Sequence, residues 1–197
     1  MSLLSVRNLS SSAVLGLWKI EGDEQAICLE NPFLEPYLQE LRKRYSYEPC
    51  RMEKLAVMAL LHEIAPNAGP VTHNASGKPL LSGYHVSISH TLGYAAVILS
   101  KKENVAVDIE YQSERVKKIA SRFLRQDEKA DDVNTMLLHW CAKETVYKYF
   151  SEDDLRFSEM RVSNIMQTFC KVENLKNGSS VNVNYKSTDD YMLAYIG

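Results

Sequence analysis

The chain has 197 residues, 45% hydrophobic and 24% charged, and its 25 acidic residues against 23 Lys and Arg leave a net charge of −2. That is enough chain to bury a core as one large domain or two small subdomains, and the near-neutral balance supplies no whole-molecule field toward nucleic acid or membrane, so an anionic ligand must be met by a local basic cluster. Cys28, Cys50, Cys141 and Cys170 are scattered without a CxxC pair, which argues against a zinc site and a disulfide framework; with no basic segment followed by an apolar run of roughly 7–15 residues in the opening stretch and no run approaching ~20 apolar residues, a reducing cytoplasm is the expected location.

Residues 12–20 read as an opening strand broken at Gly16. Asn31-Pro32 suits a helix N-cap and first helical position, with Leu34, Leu38, Leu41 and Tyr45 following at helical spacing and Arg42, Lys43 and Arg44 at the negative end of the dipole. A second helix is expected from about Arg51 to Ile64, striped by Met52, Leu55, Ala56, Ala59 and Leu60. Arg51 is unusual at a helix start, where cations are disfavoured, and calls for an anion or for solvent. Residues 65–79 are loop, with at most a short strand at Val71-Thr72 and a rigid Gly77-Lys78-Pro79 turn presenting one lysine.

Three strand-like runs follow, 84–89, 94–100 and 104–110, with short connections that suit antiparallel hairpins. In the third, Val105, Val107 and Ile109 alternate with Ala106, Asp108 and Glu110. The apolar parity seeks a core, and the other face ends in two carboxylates roughly 7 Å apart along the strand. Such a pair is either a hydrated strand end or needs a divalent cation or Lys and Arg beside it.

From Ser113 the period becomes helical, with Val116, Ile119, Ala120 and Phe123 on one face and a basic stripe of Arg115, Lys118, Arg122 and Arg125 on another. A further helix is expected from Asp131 or Asp132 to Phe150, and 156–164, 166–172, 180–185 and 191–196 read as strands with a turn at Asn177-Gly178. The pattern divides loosely into 1–102 and 103–197.

Four clusters carry chemistry: Gly77-Lys78-Pro79, Ser87-Ile88-Ser89-His90, Asp108-Ile109-Glu110, and the helical Trp140 to Lys148, in which Trp140, Glu144 and Lys148 are i, i+4 neighbours and Lys143 lies on the adjoining flank. Singly, each has a plain structural reading, such as a surface Glu144–Lys148 ion pair, a solvated turn lysine or a strand-end histidine. No Gly-x-Ser-x-Gly elbow, Walker loop or dinucleotide fingerprint is present.

Together and in this order, the clusters resemble the signature set of the 4'-phosphopantetheinyl transferases of the surfactin-synthetase-activating (Sfp) type. That set comprises a Gly-Lys-Pro turn, Ser-x-Ser-His, Gly-(Val/Ile)-Asp-x-Glu, a Phe and Glu pair (here Phe123 and Glu128, one residue more widely spaced) and Trp-x-x-Lys-Glu-x-x-x-Lys. The resemblance spans about 50–162. It implies an α+β fold of two pseudo-twofold subdomains with the active site in the cleft between them. The implied enzyme is a cytoplasmic, monomeric holo-acyl-carrier-protein synthase that moves the phosphopantetheine arm of coenzyme A to a serine of an apo carrier protein and releases 3',5'-ADP.

By the same resemblance, Asp108, Glu110 and Glu144 would hold Mg²⁺. Arg51, Lys78, Ser89, His90, Lys143 and Lys148 would bind coenzyme A, Arg51 at its 3'-phosphate. Glu144 or Glu128 would take the serine proton, with Lys148 beside them in the catalytic set. The basic stripe Arg115, Lys118, Arg122 and Arg125 gains an acidic carrier protein as partner. The rivals are a non-catalytic member that binds coenzyme A or a carrier protein, and another Mg²⁺-dependent phosphotransferase or hydrolase. Two departures stand out: Ala106 replaces the usual Gly, and the acidic, bulky 149–154 replaces a Gly-containing loop.

Overall fold

In the computed structural model, which describes residues 2–197, the chain divides into two compact units, 2–103 with Gly197 and Asn104–Ile196. Both are α+β, the class expected from the sequence. No helix among the described residues is long and apolar enough to cross a membrane.

The first unit is built on an antiparallel sheet of order β1-β2-β6-β5, formed by β1 (Ser2–Asn8), β2 (Ala13–Lys19), β5 (His85–Thr91) and β6 (Tyr94–Ser100). Helices α1 (Glu24–Glu30), α2 (Glu35–Arg44) and α3 (Glu48–Ile64) cover it, and Leu55, Ala56 and Leu60 of α3 share a core with Val97, Leu99 and Val86. Gly16 does not break β2. A Cβ at that position would stand 2.6 Å from Leu60 Cδ1, so the missing side chain is what lets α3 lie close on the sheet.

Asn31 also differs from its expected role. It ends α1, donating from Nδ2 to Ile27 O at 3.1 Å, and a 3-10 turn (Pro32–Leu34) intervenes before α2. Helix α3 begins at Glu48, earlier than Arg51, because Pro49 fits the first turn, where no N–H is required.

The loop after α3 contains a small hairpin, β3 (Thr72–His73) with β4 (Pro79–Leu80). Asn74 Oδ1 accepts from the Ser76 and Lys78 amides, and Gly77 takes φ +83, so the turn that presents Lys78 is held by its own side chains.

The second unit has the antiparallel order β7-β11-β10-β9-β8, from β7 (Ala106–Tyr111), β8 (Met160–Ser163), β9 (Phe169–Asn174), β10 (Ser180–Ser187) and β11 (Tyr191–Ile196). Helix α4 (Arg115–Phe123) and α5 (Val133–Tyr149) pack on one face, with Leu138, Cys141 and Val146 meeting Met192, Ala194 and Val172. Asp132 caps α5 by accepting from the Thr135 amide at 2.8 Å.

The short connection at 101–104 is not a hairpin. Both edges of β6 are taken by β2 and β5, so β7 pairs instead with the C-terminal strand β11.

Candidate active site

The site grows from β7. Asp108 lies opposite Ala194 and Glu110 opposite Met192, and both of those partners belong to the cluster beneath α5. The strand's polar parity is therefore directed at a helix. Val107 and Ile109, opposite Tyr195 and Leu193, are buried on the other face. Asp108 is itself only 5% exposed.

Three residues of α5 meet these carboxylates. Lys148 Nζ donates to Asp108 Oδ1 at 2.7 Å and to Val107 O at 3.0 Å. Trp140 Nε1 donates to Glu110 Oε1 at 3.2 Å, with its ring between Phe123 (5.3 Å) and Phe157 (5.2 Å). Between them in sequence, Glu144 is pushed up to about 7, first by burial and then by the Asp108 and Glu110 charges, with Lys148 opposing. Spacing of four places Trp140, Glu144 and Lys148 on one helix face, and β7 presents its two acids to that face. The same surroundings, burial first, push the Cys141 thiol far up, so it stays a neutral core thiol.

Lys143 and Glu128 form a separate, closed pair. Their side chains are 0% and 1% exposed, and Lys143 Nζ donates to Glu128 Oε2 at 2.6 Å and to Phe123 O at 2.7 Å. Glu128 also accepts from the Val162 amide at 2.7 Å and the Arg125 amide at 2.9 Å. Burial raises its proton affinity, but His139, Lys143 and the two amides outweigh that and hold the carboxyl down at about 2. His139 Nδ1 stands 3.5 Å away, long for a hydrogen bond, so we assign the larger share to Lys143. Burial lowers the Lys143 ammonium, against the pull of Glu128.

A cavity of about 430 Å³ opens beside Glu144, lined also by Arg122, Tyr147, Leu155, Arg156, Phe157 and Ser158. Arg156 and Phe157 carry no chemical signature of their own in the sequence. Their only signal was position just after the unusual 149–154 loop.

In the first unit, His90 Nδ1 lies 3.1 Å from Glu53 Oε2, Ser89 is buried and Lys78 is half-buried on its hairpin. Arg51 has found an internal anion. Its Nε donates to Glu24, and one terminal nitrogen donates to Tyr45 O (2.7 Å) and Ser46 O (2.8 Å), while Arg42 binds the other oxygen of the same carboxylate at 2.8 Å. This explains a cation in the first turn of α3: it ties α1 and the α2–α3 loop to that turn.

Of the basic stripe, Arg115, Lys118 and Arg122 are exposed, whereas Arg125 is engaged by Asp127 at 2.8 Å and by Ser158 O.

Among the described residues, no three His, Cys, Asp or Glu side chains are gathered as a metal cage. The donor set nevertheless suits a hard cation. Asp108, Glu110 and Glu144 offer only oxygen, the charges of the first two raise the proton affinity of Glu144, and the ammonium of Lys148 stands against Asp108. Mg²⁺ is commonly held by one or two carboxylates together with water and substrate phosphates, so a closed protein cage is not required. No curated protein matches the chain. A family model does: residues 104–196, the span of the second unit, match the 4'-phosphopantetheinyl transferase superfamily.

Proposed function

We propose that the protein is a Mg²⁺-dependent 4'-phosphopantetheinyl transferase of the Sfp type that modifies a serine of an apo acyl or peptidyl carrier protein. The observation that carries this reading is the meeting of Asp108 and Glu110 on β7 with Trp140, Glu144 and Lys148 on α5, inside the segment that matches the family. Asp108, Glu110 and Glu144 would hold the cation. When bound, it offsets the charge of the coenzyme A pyrophosphate and of the departing 3',5'-ADP.

The chain's own residues do the rest. Lys148 keeps Asp108 in place and adds positive charge for phosphate. Trp140 fixes Glu110. The serine oxygen bonds to the phosphorus that bears the pantetheine arm, the bond from that phosphorus to 3',5'-ADP breaks, and the serine proton passes to a base. Glu144, beside the cavity, is the candidate for that task, directly or through one water. Glu128, held at about 2 and sealed by Lys143 and two backbone amides, does not.

Lys78, Ser89 and His90 are our candidates for the coenzyme A phosphates. Arg51 and Lys143 already serve internal carboxylates, so their contribution to coenzyme A is structural. An acidic carrier protein would dock along Arg115, Lys118 and Arg122.

The test is to incubate the protein with coenzyme A, Mg²⁺ and a panel of apo carrier proteins while following carrier mass and 3',5'-ADP together. A gain of one phosphopantetheine with matching 3',5'-ADP supports the reading. Coenzyme A binding without mass gain on any carrier would favour a non-catalytic member, and release of 3',5'-ADP without carrier would favour a hydrolase.

A further inference from the structure

Trp140 and Lys143 stand three residues apart on α5, so the indole of one and the ammonium of the other reach the same neighbourhood. The ammonium donates to the carbonyl of Phe123 at 2.7 Å and, at a long 3.5 Å, to that of Phe157. The rings of these same two residues hold the indole, Phe123 edge-on at an interplanar angle of 68° and Phe157 tilted by 34°. Two segments distant in sequence, the end of α4 and the 3-10 turn Phe157–Glu159, are thus tied at the backbone by one buried cation and close on one side chain. The turn is braced further. Ser158 O accepts from Arg125, Glu159 O accepts from the Leu175 amide at 2.8 Å, and the Glu159 carboxylate accepts from the Arg156 amide at 2.8 Å. Aromatic neighbours in such arrangements fix ring orientation as well as burying area, and here the orientation is the one that sets the indole N–H 3.2 Å from Glu110 Oε1. A donor on a carboxylate that serves a cation orients it, and such outer partners tune how tightly the cation is held.

Resting on the transferase reading, we propose that Phe157 is a positioning residue of the metal site, acting together with Phe123 and with the Lys143 ammonium behind both rings. The two rings clamp the indole, and its N–H keeps the Glu110 carboxylate in the orientation in which it serves Mg²⁺. All of them act through Glu110. Lys143 thereby supports the site from the core without a coenzyme A contact, and Phe157, which stands outside every signature motif, joins the residues on which Mg²⁺ affinity depends.

The measurement is calorimetric titration of Mg²⁺ into the free protein, with tryptophan emission recorded alongside. The chain has two tryptophans, so the signal of Trp140 is read as the difference from Trp140→Phe. Phe157→Ala opens the clamp and should weaken Mg²⁺ binding roughly tenfold, the scale of outer-partner effects on metal affinity, while shifting Trp140 emission to longer wavelength. Trp140→Phe keeps the packed ring and removes the N–H, so it should weaken Mg²⁺ by a similar factor, and adding Phe157→Ala to it should cost Mg²⁺ affinity nothing more. Phe157→Tyr retains the ring and should bind Mg²⁺ as wild type does. Glu128→Leu combined with Lys143→Met removes the ammonium without leaving a buried charge, and should also raise the Mg²⁺ dissociation constant. Coenzyme A affinity measured without metal should stay unchanged in Phe157→Ala, which separates the clamp from a general loosening of the fold. Unchanged Mg²⁺ affinity in Phe157→Ala, a further fall when it is combined with Trp140→Phe, or an equal loss of coenzyme A affinity would overturn the proposal while leaving the transferase reading standing. A wild-type protein that binds no Mg²⁺ would overturn the metal assignment of that reading and the proposal with it.

Discussion

Glu144 and Glu128 show how two carboxylates on neighbouring segments acquire opposite chemistry. Burial acts on both, but Glu144 faces two further acids while Glu128 receives Lys143 and two amides. The consequence for stability has opposite signs. Between the usual 4.5 and about 7 the native state binds more protons at Glu144 than the unfolded chain does, so this contribution is fully present below 4.5 and is lost as pH rises through 7. Glu144→Gln should therefore unfold at higher denaturant than wild type at pH 8, by about 1–3 kcal/mol, with the gap closing below pH 5. Added Mg²⁺ should raise the wild-type midpoint at pH 8 and that of Glu144→Gln less. A gap independent of pH would refute the assignment. At Glu128 the stabilisation is present above 4.5 and is lost as pH falls through about 2. Removing this partner leaves a buried ammonium, so Glu128→Gln should cost about 3–5 kcal/mol in chemical denaturation. Glu128→Leu combined with Lys143→Met should recover most of it. If Lys143→Met alone kept full stability, the pair would not be the structural unit described.

Elements differ in how legibly the sequence announces them. Helix α5 was plain, because Asp132 is a capping residue and the apolar spacing that follows is helical; β7 was plain from its alternation. Gly16 was read as a break because a glycine's lack of a side chain shows only when the partner helix is known. Gly16→Val should lower the thermal midpoint through the clash with Leu60, costing about 1–3 kcal/mol, and Leu60→Ala in the same chain should cost less than the sum of the two. Strict additivity would contradict the close approach. Helix α1 was missed because it is only seven residues long, and its polar positions, such as Glu24, are explained by Arg42 and Arg51 from later segments. In the same way, the spacing that aligns Lys143 beside Glu144 could not say that one side chain enters the core while the other borders a cavity.

On the scale of the whole molecule, the second unit, Asn104–Ile196, contains all three proposed Mg²⁺ ligands, Lys148, and the cavity beside Glu144, whereas Lys78, Ser89 and His90 belong to the first. The order of the motifs along the chain was legible because each carries a local signature. The partners of Arg51, Arg125, Lys143 and Glu128 were not, because each is met by residues whose positions depend on tertiary folding. The central claim is that Asp108, Glu110 and Glu144 serve one transfer reaction. Its most direct test is the intact mass of an apo carrier protein incubated with coenzyme A, Mg²⁺ and either wild-type protein or Asp108→Asn, with folding of both checked by circular dichroism. The expected result is a carrier heavier by one phosphopantetheine with wild type and at least a hundredfold slower conversion, about 3 kcal/mol in transition-state stabilisation, with Asp108→Asn. Equal conversion by the two proteins would contradict it.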